Sequence, residues 1–215
     1  MERKVAQRIG KEIVLNFEEP IRAAVETAIE KKVETGFWIE TTKDGKTMRV
    51  NSIVEGGKDY VRFGGLGLNP ANIQILENET LATSILRTSE ELCKANPTFV
   101  GDFHVHLNKC PLNVQDMFQT MARRGLVTIL ANVLNRKRAK VSYYVWDLQS
   151  SYFNAFLIAA GGTIIQLYTP HFEGEARRIE FRADRVAEEI LRSPAVCLKE
   201  TFNLRLQVRH REVRM

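Results

Sequence analysis

Three side chains in this sequence could hold a metal ion. Val100-Gly101-Asp102-Phe103-His104-Val105-His106 reads as a strand. Residues two apart on a strand share a face, so His104 and His106 present two imidazoles side by side. Zinc takes histidine nitrogens at about 2.0–2.1 Å, a reach that such a pair meets. Asp116 falls in the first turn of the helix that follows, and the loop 107–113 is long enough to fold its carboxylate back as an oxygen ligand. Three protein ligands leave a fourth position for water, as a catalytic zinc site requires.

Each piece also has a plainer reading. His-x-His is common on strands. Asn113 is a good N-cap, and an acidic residue three positions on completes a capping-box-like pattern. Glu34, where an earlier helix passes into a strand, is by itself an ordinary surface glutamate.

Taken together, the residues form a pattern: Glu34-Thr35-Gly36 at a strand entry, then His104-Val105-His106, then Asn113 with Asp116 three positions on. This resembles the JAMM (MPN-type) zinc metallopeptidases, a family that includes deubiquitinating enzymes and prokaryotic relatives. Its motif is Glu, a later His-x-His, and then Ser-x-x-Asp. The resemblance covers residues 18–168. It implies a mixed sheet flanked by helices, similar to that of the cytidine deaminases. It further implies that His104, His106 and Asp116 ligate Zn2+, that Glu34 is the general base, and that Asn113 stands in for the serine that helps stabilise the oxyanion. An asparagine side chain can donate to an oxyanion as a hydroxyl can. The chain departs from the pattern in three places: the loop after His106 is one residue shorter than usual, Leu107 replaces a proline, and Asn113 replaces the serine. Cys110 lies within that loop. It reads either as a small buried hydrophobe or as a thiolate filling the open zinc position. Glu40, on the same strand as Glu34, is the alternative base. His171 and His210 belong to no pattern.

The elements that must position these groups follow from periodicity and turn chemistry. A helix is expected over 18–33, with Pro20 in its first turn. Strands are expected at 34–41 and 48–54, with a turn at Lys43-Asp44-Gly45 between them and a short strand near 60–63 after them. The glycine-rich loop 64–70 lacks a phosphate-binding pattern. A helix over 79–95 ends at Asn96-Pro97. The strand 98–106 and the helix 114–124, stopped by Gly125, frame the candidate site. Apolar stretches at 126–134, 141–146, 153–160 and 163–168 complete the main region. Residues 1–17 precede it. Residues 169–215 form a charged C-terminal extension with a helix near 183–192 and a strand near 202–210. The expected fold is α/β, with a mixed central sheet.

The 215 residues are 44% hydrophobic and 27% charged, ordinary values for a globular chain. Neither a disordered chain nor a collagen-like one has this composition. No apolar run is long enough to span a bilayer, and the charged N-terminus does not read as a signal peptide. Three scattered cysteines suit a reducing cytoplasm. The net charge is +5. Between Asp116 and Asp147 there is no acid but six bases: Arg123, Arg124, Arg136, Lys137, Arg138 and Lys140. That stretch, 123–140, is either a solvated surface or a patch for an acidic partner.

The leading expectation is a cytoplasmic zinc metalloprotease that cleaves amide or isopeptide bonds at the C-terminal tail of a ubiquitin-like or sulfur-carrier-type protein. The alternatives are a metal-free MPN-type scaffold and a nucleic-acid-associated protein using 123–140 and the basic tail from Arg205 to Arg214. The second alternative lacks the interleaved aromatics of a single-strand binder.

Overall fold

Ile21, Ala24, Val25 and Ala28 recur at helical spacing and form the buried stripe of α1, Glu18–Lys31, in a computed structural model of the chain. The structure describes residues 16–43, 47–58, 61, 76–77, 79–146, 156–157, 160, 185–192 and 197–206. The expected strands at 60–63 and 163–168 and the loop at 64–70 fall wholly or mostly outside the described residues, as do His171, His210 and most of 153–160. Lys32 takes a left-handed conformation (φ 56°) and ends α1. The chain then enters β1, Thr35–Thr41.

The expected single strand 48–54 is instead two, β2 (Met48–Val50) and β3 (Val54–Glu55). Both pair antiparallel with β1, but in registers one residue apart. The extra residue is a bulge, anchored by the Asn51 N–H donating to the Trp38 carbonyl at 3.1 Å. Helix α2, Leu81–Ala95, opens on a capping box between Thr80 and Thr83. Strand β4, Phe99–His106, follows it. Helix α3 runs Val114–Met121, three residues short of expectation. Arg124 takes the left-handed turn (φ 53°), not Gly125. Gly125 is needed for space: a Cβ there would lie 2.6 Å from Thr120 Cγ2 and 2.7 Å from the Phe99 ring. β5 (Val127–Asn135) and β6 (Arg138–Trp146) form a hairpin.

β7, Cys197–Arg205, starts five residues before the expected strand. It pairs with β6 along its whole length, from Arg138↔Arg205 to Trp146↔Cys197. This part of 169–215 is therefore built into the main sheet. The seven strands run in the order β2-β1-β4-β5-β6-β7, with β3 beside β1. β4 and β5 are parallel and the other pairs antiparallel, so the sheet is mixed. Gly101 permits the close β4–β5 approach, since a Cβ there would sit 2.0 Å from the Val127 carbonyl oxygen.

Alternation along the strands divides the core in two. Phe37, Ile39, Phe103, Val105, Ile129 and Val141 face α1, and Phe37 stacks on Phe103 at 4.7 Å. Burying Ile21 or Val25 there contributes about 1.5–3 kcal/mol each. The other face carries Leu130, Tyr144 and Trp146 against Ile85 of α2, Phe118 of α3 and Ile190 of the helical stretch 185–192. Asp102, His104 and His106 belong to this second face, under α3. Among the described residues no helix is long and apolar enough to cross a membrane.

Candidate metal centre

The alternation that buries Phe103 and Val105 against α1 turns His104 and His106 to the α3 side. Both rings are buried, His104 to 3% exposure. Each has its Nδ1 beside an acceptor. His104 Nδ1 is 3.1 Å from Asp102 Oδ2, and His106 Nδ1 is 3.2 Å from the Cys110 carbonyl oxygen. A carboxylate and a carbonyl only accept, so both Nδ1 atoms carry the donated proton. The Nε2 atoms then point at Asp116. His104 Nε2 lies 3.5 Å from Asp116 Oδ1, and His106 Nε2 lies 3.6 Å from Asp116 Oδ2.

Asp116 does two jobs. Its backbone N–H donates to Asn113 Oδ1, and its Oδ2 accepts the Asn113 N–H, each at 2.9 Å. That is a complete capping box. The same carboxylate faces both imidazoles, so capping and ligation are compatible. One candidate ligand atom from each of His104, His106 and Asp116 lies within 4.8 Å of the others, and these three can hold a metal ion.

The fit is good by two independent observations. Two ligand atoms about 2.1 Å from a tetrahedral centre stand about 3.4 Å apart, close to the two separations found. His104 Nε2 is buried without a hydrogen-bond partner, and a buried polar atom left so is costly unless something occupies it. Outward from the metal position, the Nδ1 contacts give the carboxylate–histidine and carbonyl–histidine support typical of metal sites.

The electrostatics favour a cation. Burial works to lower the His104 pKa, but Asp116 and Asp102 outweigh it and hold the value at about 10. His106 is pushed down by burial and by the neighbouring His104 charge. Burial works to raise the Asp116 carboxyl, but the two imidazoles and the Asn113 N–H keep it below the ordinary range.

Glu34 is 9% exposed and lies outside the three-ligand group. Thr35 faces α1, its hydroxyl donating to the Ala24 carbonyl at 2.8 Å. Glu34 stands just before β1, where its N–H donates to the Gly57 carbonyl at 2.7 Å and its carbonyl accepts from the Gly56 N–H at 2.8 Å; two residues on, Gly36 pairs with His104. Glu40 sits at the far end of β1, bound to Arg49 at 3.0 Å and to Asn51 at 3.3 Å. Asn113 is exposed at the N-cap, with its side-chain oxygen taken by the cap.

Cys110 is exposed, which overturns its reading as a buried hydrophobe. It is also outside the ligand group. Its part is played by the backbone: the carbonyl accepts from His106 and, at 2.6 Å, from Asn132 Nδ2. The short loop needs no thiol to hold its shape.

The sequence reading gave Asp102 no role and counted Arg123 among the surface bases of 123–140, whereas Arg123 is 3% exposed. Asp102 was visible as the next residue on the same face before His104. Arg123 is buried, with its guanidinium over Trp38 at 5.2 Å and Phe99 at 5.4 Å. Burial lowers its pKa to about 10, and attraction to Asp102 partly offsets that. No pattern in the sequence marks such an arginine. No family model, curated protein or solved structure matches the chain.

Proposed function

We propose that the chain is a JAMM-type zinc hydrolase acting on amide or isopeptide bonds at the flexible C-terminal tail of a ubiquitin-like or sulfur-carrier-type protein. The observation that carries this reading is the convergence of His104 Nε2, His106 Nε2 and Asp116 on one point, with both Nδ1 atoms held by acceptors. Two nitrogens and one carboxylate suit zinc and leave a position open.

Zinc bound there would supply Lewis acidity and a water of lowered pKa. His104, His106 and Asp116 would hold it. Glu34, two residues before the Gly36 that pairs with His104, takes the proton of the attacking water and passes it to the leaving amine. Asn113 keeps its side-chain NH2 for the developing oxyanion, since only its oxygen is used by the cap. An extended tail would add to the sheet edge by main-chain hydrogen bonds. The β2–β3 edge borders a groove of about 570 Å³ lined by Trp38, Arg49, Asn51 and Ser52. Lys109, Arg136, Lys137, Arg138 and Lys140 are exposed around the loop and hairpin beyond His106, and no ion pair joins them to a described carboxylate. They favour an acidic surface on the substrate protein.

The test is zinc content per chain beside cleavage of ubiquitin-like fusions and isopeptide-linked peptides, for wild type and Glu34→Gln. The variant keeps all three ligands. It should retain zinc and lose turnover by about 10²–10⁴-fold. A wild type that purifies without zinc and takes none up sinks the reading, and so does a Glu34→Gln variant that cleaves at the wild-type rate.

A further inference from the structure

We infer that the metal-site face of β6 and β7 is a docking surface for a carboxylate-rich segment of a partner polypeptide, built on the like-charged pair Arg138 and Arg205. The surface stands on its own geometry; that the partner is the substrate rests on the hydrolase reading above.

The register places the surface. His106 is level with Asn132, Asn132 with Lys140, and Lys140 with Asn203. Residues paired across strands share a face, so this rung runs from a candidate ligand to the edge strand. At about 4.8 Å per strand, Lys140 stands about 10 Å from His106. Further out along β6, Arg138 is opposite Arg205. The intervening residues Ala139, Val141 and Leu204 pack toward α1. Arg138, Lys140, Asn203 and Arg205 are left on the metal-site side, all of them exposed. Lys109, also exposed, lies beside them: Asn132 Nδ2 donates to the carbonyls on either side of it, Asn108 at 3.3 Å and Cys110 at 2.6 Å.

Arg138 against Arg205 is a conflict that the fold leaves standing. The Leu206 N–H donates to the Lys137 carbonyl at 3.0 Å. That pair carries the ladder bond, so the Arg138–Arg205 pair beside it is of the non-hydrogen-bonded kind, with its side chains closer together. The Arg205 carbonyl accordingly points outward, where it accepts from Arg22. Like charges directly opposite destabilise a sheet. Yet among the described residues no ion pair engages Lys109, Arg138, Lys140 or Arg205. Glu18 is taken by Arg22 at 2.6 Å, and Glu200 of β7 is registered with Tyr143. Broken local rules mark functional sites. An anion laid across the two strands removes this conflict, and the two guanidinium forks match carboxylates. Phosphates fit such forks as well. Among the described residues, however, no exposed aromatic side chain offers a base a platform, whereas Asn203 offers its amide to a peptide main chain.

The experiment follows the fluorescence anisotropy of a labelled peptide of alternating Glu and Gly, and of single-stranded and duplex DNA of equal charge. The proteins are the full-length wild type, Arg138→Glu, Arg205→Glu and Lys43→Glu, and the free proteins are melted alongside. Wild type should bind the acidic peptide more tightly than either DNA. Each arginine variant should weaken the peptide by about 2–30-fold, one exposed attraction lost and one repulsion gained. Each should also raise Tm by about 1–4 °C, because a like-charged pair becomes an opposite one. Lys43→Glu makes the same change of charge in the turn after β1, toward the other edge of the sheet, and should bind nearly as wild type. On wild type alone, bound peptide should shield Lys109 and Lys140, and not Lys43, from an amine-reactive reagent. Arginine variants that melt lower, or that bind the peptide as wild type does, overturn the inference. So do an equal loss in Lys43→Glu, equal shielding of the three lysines, and tighter binding of DNA, which would make this a nucleic-acid surface. A protein that binds the peptide through these arginines but takes up no zinc keeps the surface and loses the hydrolase reading. A zinc hydrolase whose arginine variants bind normally loses only the surface.

Discussion

Asp116→Asn separates the two jobs of Asp116. Asparagine keeps an oxygen that can accept the Asn113 N–H, so the capping box survives and the loss from that source stays below about 1 kcal/mol. What is lost is the negative ligand that faces both Nε2 atoms. At a metal concentration of 1,000 times the wild-type Kd, binding adds at most about 4.1 kcal/mol to stability. For a chain of this size each kcal/mol moves Tm by about 2–4 °C, so wild type should gain about 8–16 °C. Removing an outer partner of a metal ligand costs up to about 100-fold in affinity, and removing the ligand's charge should cost no less. At the same metal concentration the variant is then at most about 10-fold above its own Kd. That adds about 1.4 kcal/mol, or about 3–6 °C. The assay is thermal melting of each protein with and without zinc. Only the metal-induced shift within each protein is compared, so changes in metal-free stability cancel. Equal shifts in wild type and variant would mean that Asp116 only caps its helix, and the ligand set would be wrong.

Cys110→Ser should leave zinc affinity within about 2-fold of wild type, because the loop uses the carbonyl and not the exposed thiol; competition with a zinc chelator checks this, and a large drop would restore the thiolate as a ligand. Gly101→Ala should destabilise by about 1–3 kcal/mol or more, since its Cβ would meet the Val127 carbonyl at 2.0 Å; urea unfolding that matches wild type would show that β4 and β5 are not so closely placed. Glu79 accepts from Arg87, Ser84 and the Leu76 N–H, with the Arg87 contact foremost, and these hold its pKa at about 2 against an ordinary 4.5. A depressed carboxyl stabilises above its unfolded pKa and loses that contribution as pH falls toward the folded one. The Tm gap between wild type and Glu79→Gln should thus be constant near neutral pH and close between pH 4.5 and about 2. A gap that does not change with pH would deny the interaction.

The strand carrying His104 and His106 was legible because its alternation is strict: Phe103 and Val105 on one face, the histidines on the other. Asn113 and Asp116 were legible as a cap because N-cap chemistry is local. What escaped had non-local causes. The bulge after Val50 depends on Trp38 supplying a carbonyl from the neighbouring strand. β7 begins at Cys197 because β6 offers a pairing edge there, and nothing in Cys197-Leu198-Lys199 alone announces it. Asp102 carries no local signal of a role in the sequence. Its hydrogen bonds lead through Thr120 and Thr128 to Trp146, residues of three later elements.

All three ligands lie on one short stretch of chain, between His104 and Asp116, made of a strand end, a loop and a first helical turn. Loop closure over so short a distance costs little, so even an unfolded chain can gather these groups around a cation. Metal bound to the unfolded state subtracts from the stabilisation of the folded one, and the Tm gain above is a ceiling for that reason. Glu34 has a different history. It comes from a segment far away in sequence and is brought alongside the histidine strand only when β1 pairs with β4, a slower, long-range event. On the proposed function, the cation would load early and the base would arrive late. A half-folded molecule would then hold the metal without the proposed base. In refolding, Co2+ absorption should appear before the burial of Trp38; the reverse order would remove this sequence of events.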